Sequence, residues 1–254
     1  MIAICLAGAT GWTGRALADG IAAAGDLTLR SAVSRSAAGG ELHGAPVLAT
    51  VAEALDGADV LIDFTSHEVA RDHALTAIAA GVAVVIGTSG LTAHDFAEID
   101  AAARAAGVGV VAAGNFSLTA AMMAAGALLA ARHLPAWEVI DYASAGKPDA
   151  PSGTARELAE RLGAAEVERP VADTAGLVEA RGATVAGTQV HSVRLPSFVV
   201  STEVVFGLPD ERLTIRHDAG GTPAPYVAGA LLAARAAGGR TGLTRGLDVL
   251  LAGG

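Results

Sequence analysis

Short apolar runs alternate with helical patterns through the first half of the chain, and each run closes on a cluster of Gly, Thr, Ser or Asn. Ile2 to Leu6 is the first, followed by Gly8-Ala-Thr-Gly11-Trp-Thr-Gly14 and a helical pattern from Arg15 to Ala24. Leu27 to Val33, Ala58 to Phe64, Ala83 to Ile86 and Val108 to Ala112 repeat the strand signal, with helical patterns over 68–80 and 93–106. Short strands alternating with helices predict a doubly wound parallel sheet, and such sheets bind ligands beyond the carboxyl ends of their strands.

The rhythm then changes. Leu118 to His133 reads as an Ala-rich helix, Trp137 to Ala143 as a strand, and Arg156 to Leu162 as a helix followed by a polar, proline-containing stretch. Three β-like runs, Thr184 to Arg194, Phe198 to Phe206 and Arg212 to His217, come without helices between them before Pro223 to Ala237 turns helical again. The expected fold class is α/β, with a second α+β domain of mixed or antiparallel sheet. The domains are expected at 1–116 with 218–254, and at 117–217.

Two local patterns carry chemistry. The first is GxxGxxG from Gly8 through Gly11 to Gly14, with Thr10 in the place of the second glycine of the commoner GxGxxG form. Between a strand and a helix it brings backbone amides up to a pyrophosphate, although a plain tight turn gives the same spacing. The second strand ends in Ser34-Arg35-Ser36, with no carboxylate for a ribose 2′-hydroxyl, and so points to the 2′-phosphate of NADPH, with NADH possible, although a solvated loop arginine gives the same pattern. The other pattern is Lys147-Pro-Asp-Ala-Pro-Ser-Gly-Thr154, a cation shortly before a Ser-Gly-Thr turn that opens a helix. Free N–H groups and the dipole at a helix start attract a carboxylate or phosphate, and an ordinary capped helix fits the same residues.

Composition narrows the partners. The formal charge of −9 offers no footprint for nucleic acid or an anionic membrane. The single cysteine, Cys5, lies in the first apolar run, so neither a disulfide framework nor a zinc cluster is expected. No His/Cys/Asp/Glu cluster has ligand spacing, no apolar run reaches the ~18 residues of a membrane span, and the expected location is cytoplasmic. His67, His73 and His94 fall on helical patterns as surface residues; His191 and His217 fall on strands as structural ones.

With these residues laid out, the chain resembles the dihydrodipicolinate reductase family over nearly its full length. The matching pieces are Gly8 to Gly14, Asp63-Phe-Thr65, Gly87-Thr-Ser-Gly90, Asn115-Phe-Ser117, Lys147 to Thr154, His191-Ser-Val-Arg194 and the closing Gly242 to Leu250. The resemblance implies a Rossmann-type cofactor domain, a substrate domain whose sheet builds a homotetramer, and hydride transfer from NADPH or NADH to a small carboxylate-bearing cyclic imine. It implies that Gly8, Gly11, Trp12, Thr13, Gly14 and Arg35, with Thr10 and Ser34 beside them, hold the pyrophosphate and 2′-phosphate. Phe64, Thr65, Gly87, Thr88 and Ser89 would line the nicotinamide side, with Asn115 and Phe116 completing the cofactor set. Lys147, Ser152, Gly153 and Thr154 would hold a substrate carboxylate.

The chain departs from the family at its proton donor. A His-His pair is expected four and three residues before the lysine, where this chain has Ala143 and Ser144, and an expected arginine aligns with Thr222. Lys147 inherits the proton-delivery role, with Tyr142 or Ser144 as stand-ins, and Tyr142, Phe198 and Val200 are either new pocket walls or strand core. An NADPH-dependent reductase of C=N or conjugated C=C bonds is the reading these residues favour. A reductase for a less anionic imine or enamine, and an NADPH-binding sensor or scaffold without catalysis, are the alternatives.

Overall fold

The computed structural model describes residues 1–165 and 174–252; part of the polar, proline-containing stretch lies outside them. In chain order the elements are β1 (Ile2–Ala7), α1 (Trp12–Ala23), β2 (Leu27–Val33), β3 (Glu41–Leu42), β4 (Ala45–Leu48), α2 (Val51–Ala54) and β5 (Val60–Asp63). There follow α3 (His67–Ala79), β6 (Ala83–Ile86), α4 (Ala93–Ala106), β7 (Gly109–Ala112), α5 (Leu118–Ala131), β8 (Trp137–Ala143) and α6 (Gly153–Gly163). The chain closes with β9 (Ala183–Val185), β10 (Thr188–Arg194), β11 (Val200–Leu208), β12 (Glu211–Asp218), α7 (Ala224–Ala237), β13 (Gly242–Arg245) and α8 (Asp248–Leu251).

The chain divides into two compact units, Met1–Leu118 with Pro223–Gly254, and Thr119–Thr222. The first holds an eight-stranded sheet in the order β13-β7-β6-β5-β1-β2-β4-β3, parallel except for the β3–β4 pair. Every residue of β5, β6 and β7 is buried, as expected of parallel strands covered on both faces. Strand order reverses at β1, which pairs with β2 on one side and β5 on the other; the crevice beyond these carboxyl ends is where this topology places a ligand.

Several elements differ from the sequence pattern. Helix α1 starts at Trp12 rather than Arg15, because Gly11 is extended and serves as its N-cap. The run from 184 to 194 is two strands, β9 and β10, reversing at Ala186 and Gly187, both at positive φ. Strands β3, β4 and β13 and helices α2 and α8 are additions.

In the second unit the sheet order is β12-β11-β8-β10-β9, mixed because β8 and β10 run parallel while the other pairs are antiparallel. Strand β8 alternates strictly: Trp137, Val139, Asp141 and Ala143 are buried, and Glu138, Ile140 and Tyr142 are half-buried on the other face. Trp137 and Val139 share a core with Met123 and Ala127 of α5 and with Leu158 and Leu162 of α6, so these helices line the Asp141 face.

Cys5 is buried in β1, and burial foremost, helped by the charge of Asp63 against a hydrogen bond to Ser31, pushes its thiol up to about 11. It is an unreactive core residue at neutral pH. Among the described residues no helix is long and apolar enough to cross a membrane, and no cluster of three or more His, Cys, Asp or Glu side chains could hold a metal ion.

Candidate active site

The glycine turn is set by contacts that leave no room for a side chain. Gly8 has φ +80°, and its N–H donates to Val33 O at 3.1 Å, tying the turn to the end of β2. A Cβ on Gly8 would lie 2.5 Å from Phe64 O, and one on Gly14 would lie 2.0 Å from Gly8 O. Helix α1 can therefore start directly against the strand. No side chain caps its first N–H groups and no acidic residue sits in its first turn, which leaves that helix start fitted to a diphosphate. Trp12 and Thr13 open the helix; Trp12 is exposed and meets Tyr226 edge-on at 6.2 Å.

Beside the turn lies a cavity of about 640 Å³ lined by Gly8, Thr10 and Gly11, by Ser34, Arg35 and Ser36, and by Phe64, Thr65 and His73, among others. Thr10 Oγ1 and Ser34 Oγ share a hydrogen bond at 2.8 Å, joining the glycine turn to the β2 loop, and Arg35 is exposed at the rim. The one cation and the hydroxyls lining this stretch after β2 suit an adenosine 2′-phosphate, and the uncapped α1 suits the pyrophosphate. The residues present fit a nicotinamide dinucleotide.

At the carboxyl ends of β5 and β6, Phe64 lies against Gly87, where a Cβ would sit 2.1 Å from the ring's Cζ. Phe116 backs it at 5.5 Å and is itself buried, so its place is behind Phe64 rather than facing a ligand. Asn115 Oδ1 accepts from Ser117 N–H at 2.8 Å and shapes that loop. Thr65 and Thr88 both donate to the buried Asp63, and Ser89 is exposed. His73, which its helical pattern assigned to the surface, is half-buried with Nδ1 2.7 Å from Asp63 Oδ2. His67 and His94 are exposed.

In the second unit a fully buried carboxylate organises the cradle. Asp141 accepts from Ser152 N–H at 2.8 Å, Ser152 Oγ–H at 2.7 Å, Ser192 Oγ–H at 3.3 Å and Arg194 Nη2–H at 2.7 Å. Arg194 also donates to Asp149 O at 2.7 Å, so one guanidinium clamps the loop from both sides. Ser152 is the N-cap of α6, accepting from Ala155 N–H at 3.4 Å. With its own N–H and O–H turned to Asp141, Ser152 builds the cradle instead of presenting these groups to a ligand, a correction to its expected role. Gly153 and Thr154 form the half-buried first turn of α6, and Lys147 Nζ lies 2.7 Å from Asp149 Oδ1.

Tyr142 is also corrected. Strand alternation puts it on the face opposite Asp141, where its hydroxyl donates to Glu203 Oε2 at 3.3 Å, Phe198 lies 4.9 Å from its ring and Arg216 sits 4.8 Å above it. Burial first, then the charge of Glu203, raises its pKa, so Tyr142 is neither beside the cradle nor a ready acid. Ser144 starts the turn that ends at Lys147, its carbonyl accepting from Lys147 N–H at 3.0 Å. Val200 pairs across from Ala143. His191 Nε2 lies 2.7 Å from Glu138, and His217 is buried, its pKa lowered by desolvation against the pull of Asp218. Asp63, His73 and Asp141 escaped the sequence reading as functional residues; only the acidic residue on the buried side of β8 gave a signal.

A parallel sheet whose first crossover is this glycine turn, with a cavity at its carboxyl edge, is that of a Rossmann-type dinucleotide-binding protein. The chain belongs to the dihydrodipicolinate reductase family: residues 2–116 match the model of the N-terminus of dihydrodipicolinate reductase and residues 114–251 that of its C-terminus. It is 39% identical over 263 residues to the 4-hydroxy-tetrahydrodipicolinate reductase of Moorella thermoacetica, covering 98% of each chain. It is 36% identical over 257 residues to that of Cutibacterium acnes, covering 99% of each. A dipicolinate-bound dihydrodipicolinate reductase from Paenisporosarcina sp. TG-14 superposes with a TM-score of 0.78 at 26% identity, covering 98% of this chain and 99% of that one.

Proposed function

We propose that this protein is an NADPH-dependent 4-hydroxy-tetrahydrodipicolinate reductase of lysine and diaminopimelate biosynthesis. The observation that carries the reading is the Asp141-anchored cradle, Lys147 to Thr154, on a chain that also holds the glycine-turn cavity and matches the family from end to end. The dipicolinate bound to the Paenisporosarcina reductase is a planar ring dicarboxylate, the class of ligand such a cradle takes. Similarity to reductases along the whole chain does not favour the sensor or the less anionic imine as the function.

The dinucleotide, when bound, supplies the hydride that adds to carbon of the C=N or conjugated C=C bond; a proton must reach the other end of the reduced system. Gly8, Gly11 and the start of α1 hold the diphosphate, and Arg35 holds the 2′-phosphate. Gly153 and Thr154 orient a substrate carboxylate. Lys147, the cation of the cradle, binds anion and delivers the proton directly or through water, Ala143 and Ser144 offering no imidazole. Residues 1–116 with 218–254 serve the cofactor, and 117–217 serve substrate and self-association. The sheet face bearing Ile140, Tyr142 and Glu203 is the surface for a homo-oligomer, a tetramer by family resemblance, and the location is cytoplasmic.

NADPH oxidation with freshly generated dihydrodipicolinate, beside pyrroline and piperideine carboxylates, tests the reading; turnover of the monocarboxylates alone would overturn the substrate. Lys147→Ala is expected to lower kcat/KM by on the order of 10² to 10⁴, the range of a lost general acid, with an unchanged melting temperature. Arg35→Ala should raise KM for NADPH about tenfold or more while leaving NADH kinetics close to wild type, since a hydrogen bond to a charged group contributes roughly 1.5 to 3 kcal/mol. Equal losses with both cofactors would remove Arg35 from the 2′-phosphate site.

A further inference from the structure

Asp63 ends β5 with no exposed surface, yet its carboxylate is saturated with donors. Oδ1 accepts from Thr65 N–H at 2.9 Å, Thr65 Oγ1–H at 2.6 Å and Thr88 Oγ1–H at 2.9 Å; Oδ2 faces His73 Nδ1 at 2.7 Å. Burial alone would push this carboxyl up, but the bonds from His73, Thr65 and Thr88 outweigh it and hold the group below the usual carboxylate range. An ionised carboxylate thus sits inside the sheet, and its charge is among the influences that raise the Cys5 thiol on the neighbouring strand. A buried charge is costly to maintain, and a neutral amide could brace two threonines as well.

The orientation of those threonines gives the charge a use. Both hydroxyls point their hydrogens at Asp63, so the negative ends of their dipoles face away from it. Thr65 and Thr88 belong to the two loops, after β5 and β6, that the proposed function puts on the nicotinamide side, and the role of Asp63 rests on that reading. We propose that Asp63 is a positioning residue for hydride transfer, whose buried charge, passed on by the Thr65 and Thr88 hydroxyls, favours the oxidised, cationic nicotinamide over the neutral reduced one. When hydride leaves for the substrate carbon with its electron pair, the ring gains one positive charge. Interactions stronger in that later state than in the starting one lower the barrier. Asp63 sets the charge preference while Phe64, wedged between Gly87 and Phe116, keeps the loops in place.

The measurement is a pair of dissociation constants, for NADPH and for NADP⁺, on the full chain and on Asp63→Asn. Asparagine keeps Oδ1 as acceptor for Thr65 and Thr88 and can donate to His73 in its other tautomer, so the loops remain braced. NADP⁺ affinity is expected to fall about three- to tenfold, the size of a unit charge acting over roughly 10 Å through a partly screened medium, while NADPH affinity stays within about twofold. In turnover, kcat falls and KM for NADPH does not. If Asp63→Asn melts early, Thr88→Val, which removes one of the two hydroxyls at similar volume, should shift the ratio in the same direction. A ratio equal to wild type in the folded variant, both affinities falling together, overturns the proposal and leaves Asp63 a brace. Wild-type protein binding neither nucleotide would instead overturn the cofactor reading beneath it.

Discussion

Gly14→Ala is expected to abolish dinucleotide binding and to cost about 3 kcal/mol of stability, the upper end of what overpacking a well-fitted site costs. The new methyl would lie 2.0 Å from Gly8 O and 2.8 Å from Gly8 C, backbone atoms that no rotamer change can move aside. Relief requires α1 to back away from β1, and that withdraws the N–H groups that the proposed function assigns to the diphosphate. Gly8 cannot absorb the strain, since it is itself at φ +80° with Phe64 O in the way of any Cβ. Gly25, with open space where a Cβ would stand, is the control, and alanine there should bind as wild type does. Urea unfolding and NADPH fluorescence titration report the two effects; near-native NADPH affinity in Gly14→Ala would remove the turn from the cofactor site.

Asp141→Ala is the second large effect. It removes the acceptor of Ser152 N–H and Ser152 Oγ–H and leaves the Arg194 guanidinium, largely buried, with backbone carbonyls alone. Breaking one side of a buried ion pair costs roughly 3 to 5 kcal/mol, because the remaining charge stays desolvated. The variant should lose substrate binding before cofactor binding, since the affected residues are those of the cradle and not of the glycine turn. Asp141→Asn, which keeps the shape and one acceptor, should fall between. Wild-type substrate KM in Asp141→Ala would mean that the α6 start does not depend on this carboxylate.

What the sequence could disclose follows the range of the forces involved. The apolar runs at 27–33, 83–86 and 137–143 became strands β2, β6 and β8 with those bounds, since periodicity and flanking glycines are local signals. Strands β3 and β4 are too short to show a period and exist by pairing with β2 and each other. Helix α2 did leave a readable trace, the Thr50–Glu53 capping box. The β9–β10 reversal carries an alanine at φ 47°, which no turn preference announces. In the site, the glycine turn and the cradle string were legible because their chemistry is contiguous. Asp63 with His73, and Asp141 with Ser152, Ser192 and Arg194, were not, because each carboxylate acquires its partners through folding. The alternation of β8 marked Asp141 as anomalous without saying what it holds.

The first unit is assembled from both ends of the chain: β13 pairs with β7 at the sheet edge, and α7 packs on β5, β6 and β7. On the ribosome, residues 119–222 emerge whole while the apolar surface of those three strands still waits for its cover. The nascent chain is therefore exposed to misassociation at those strands until α7 has been made. A stop codon ahead of α7 would spare every glycine of the turn and still yield an aggregation-prone protein.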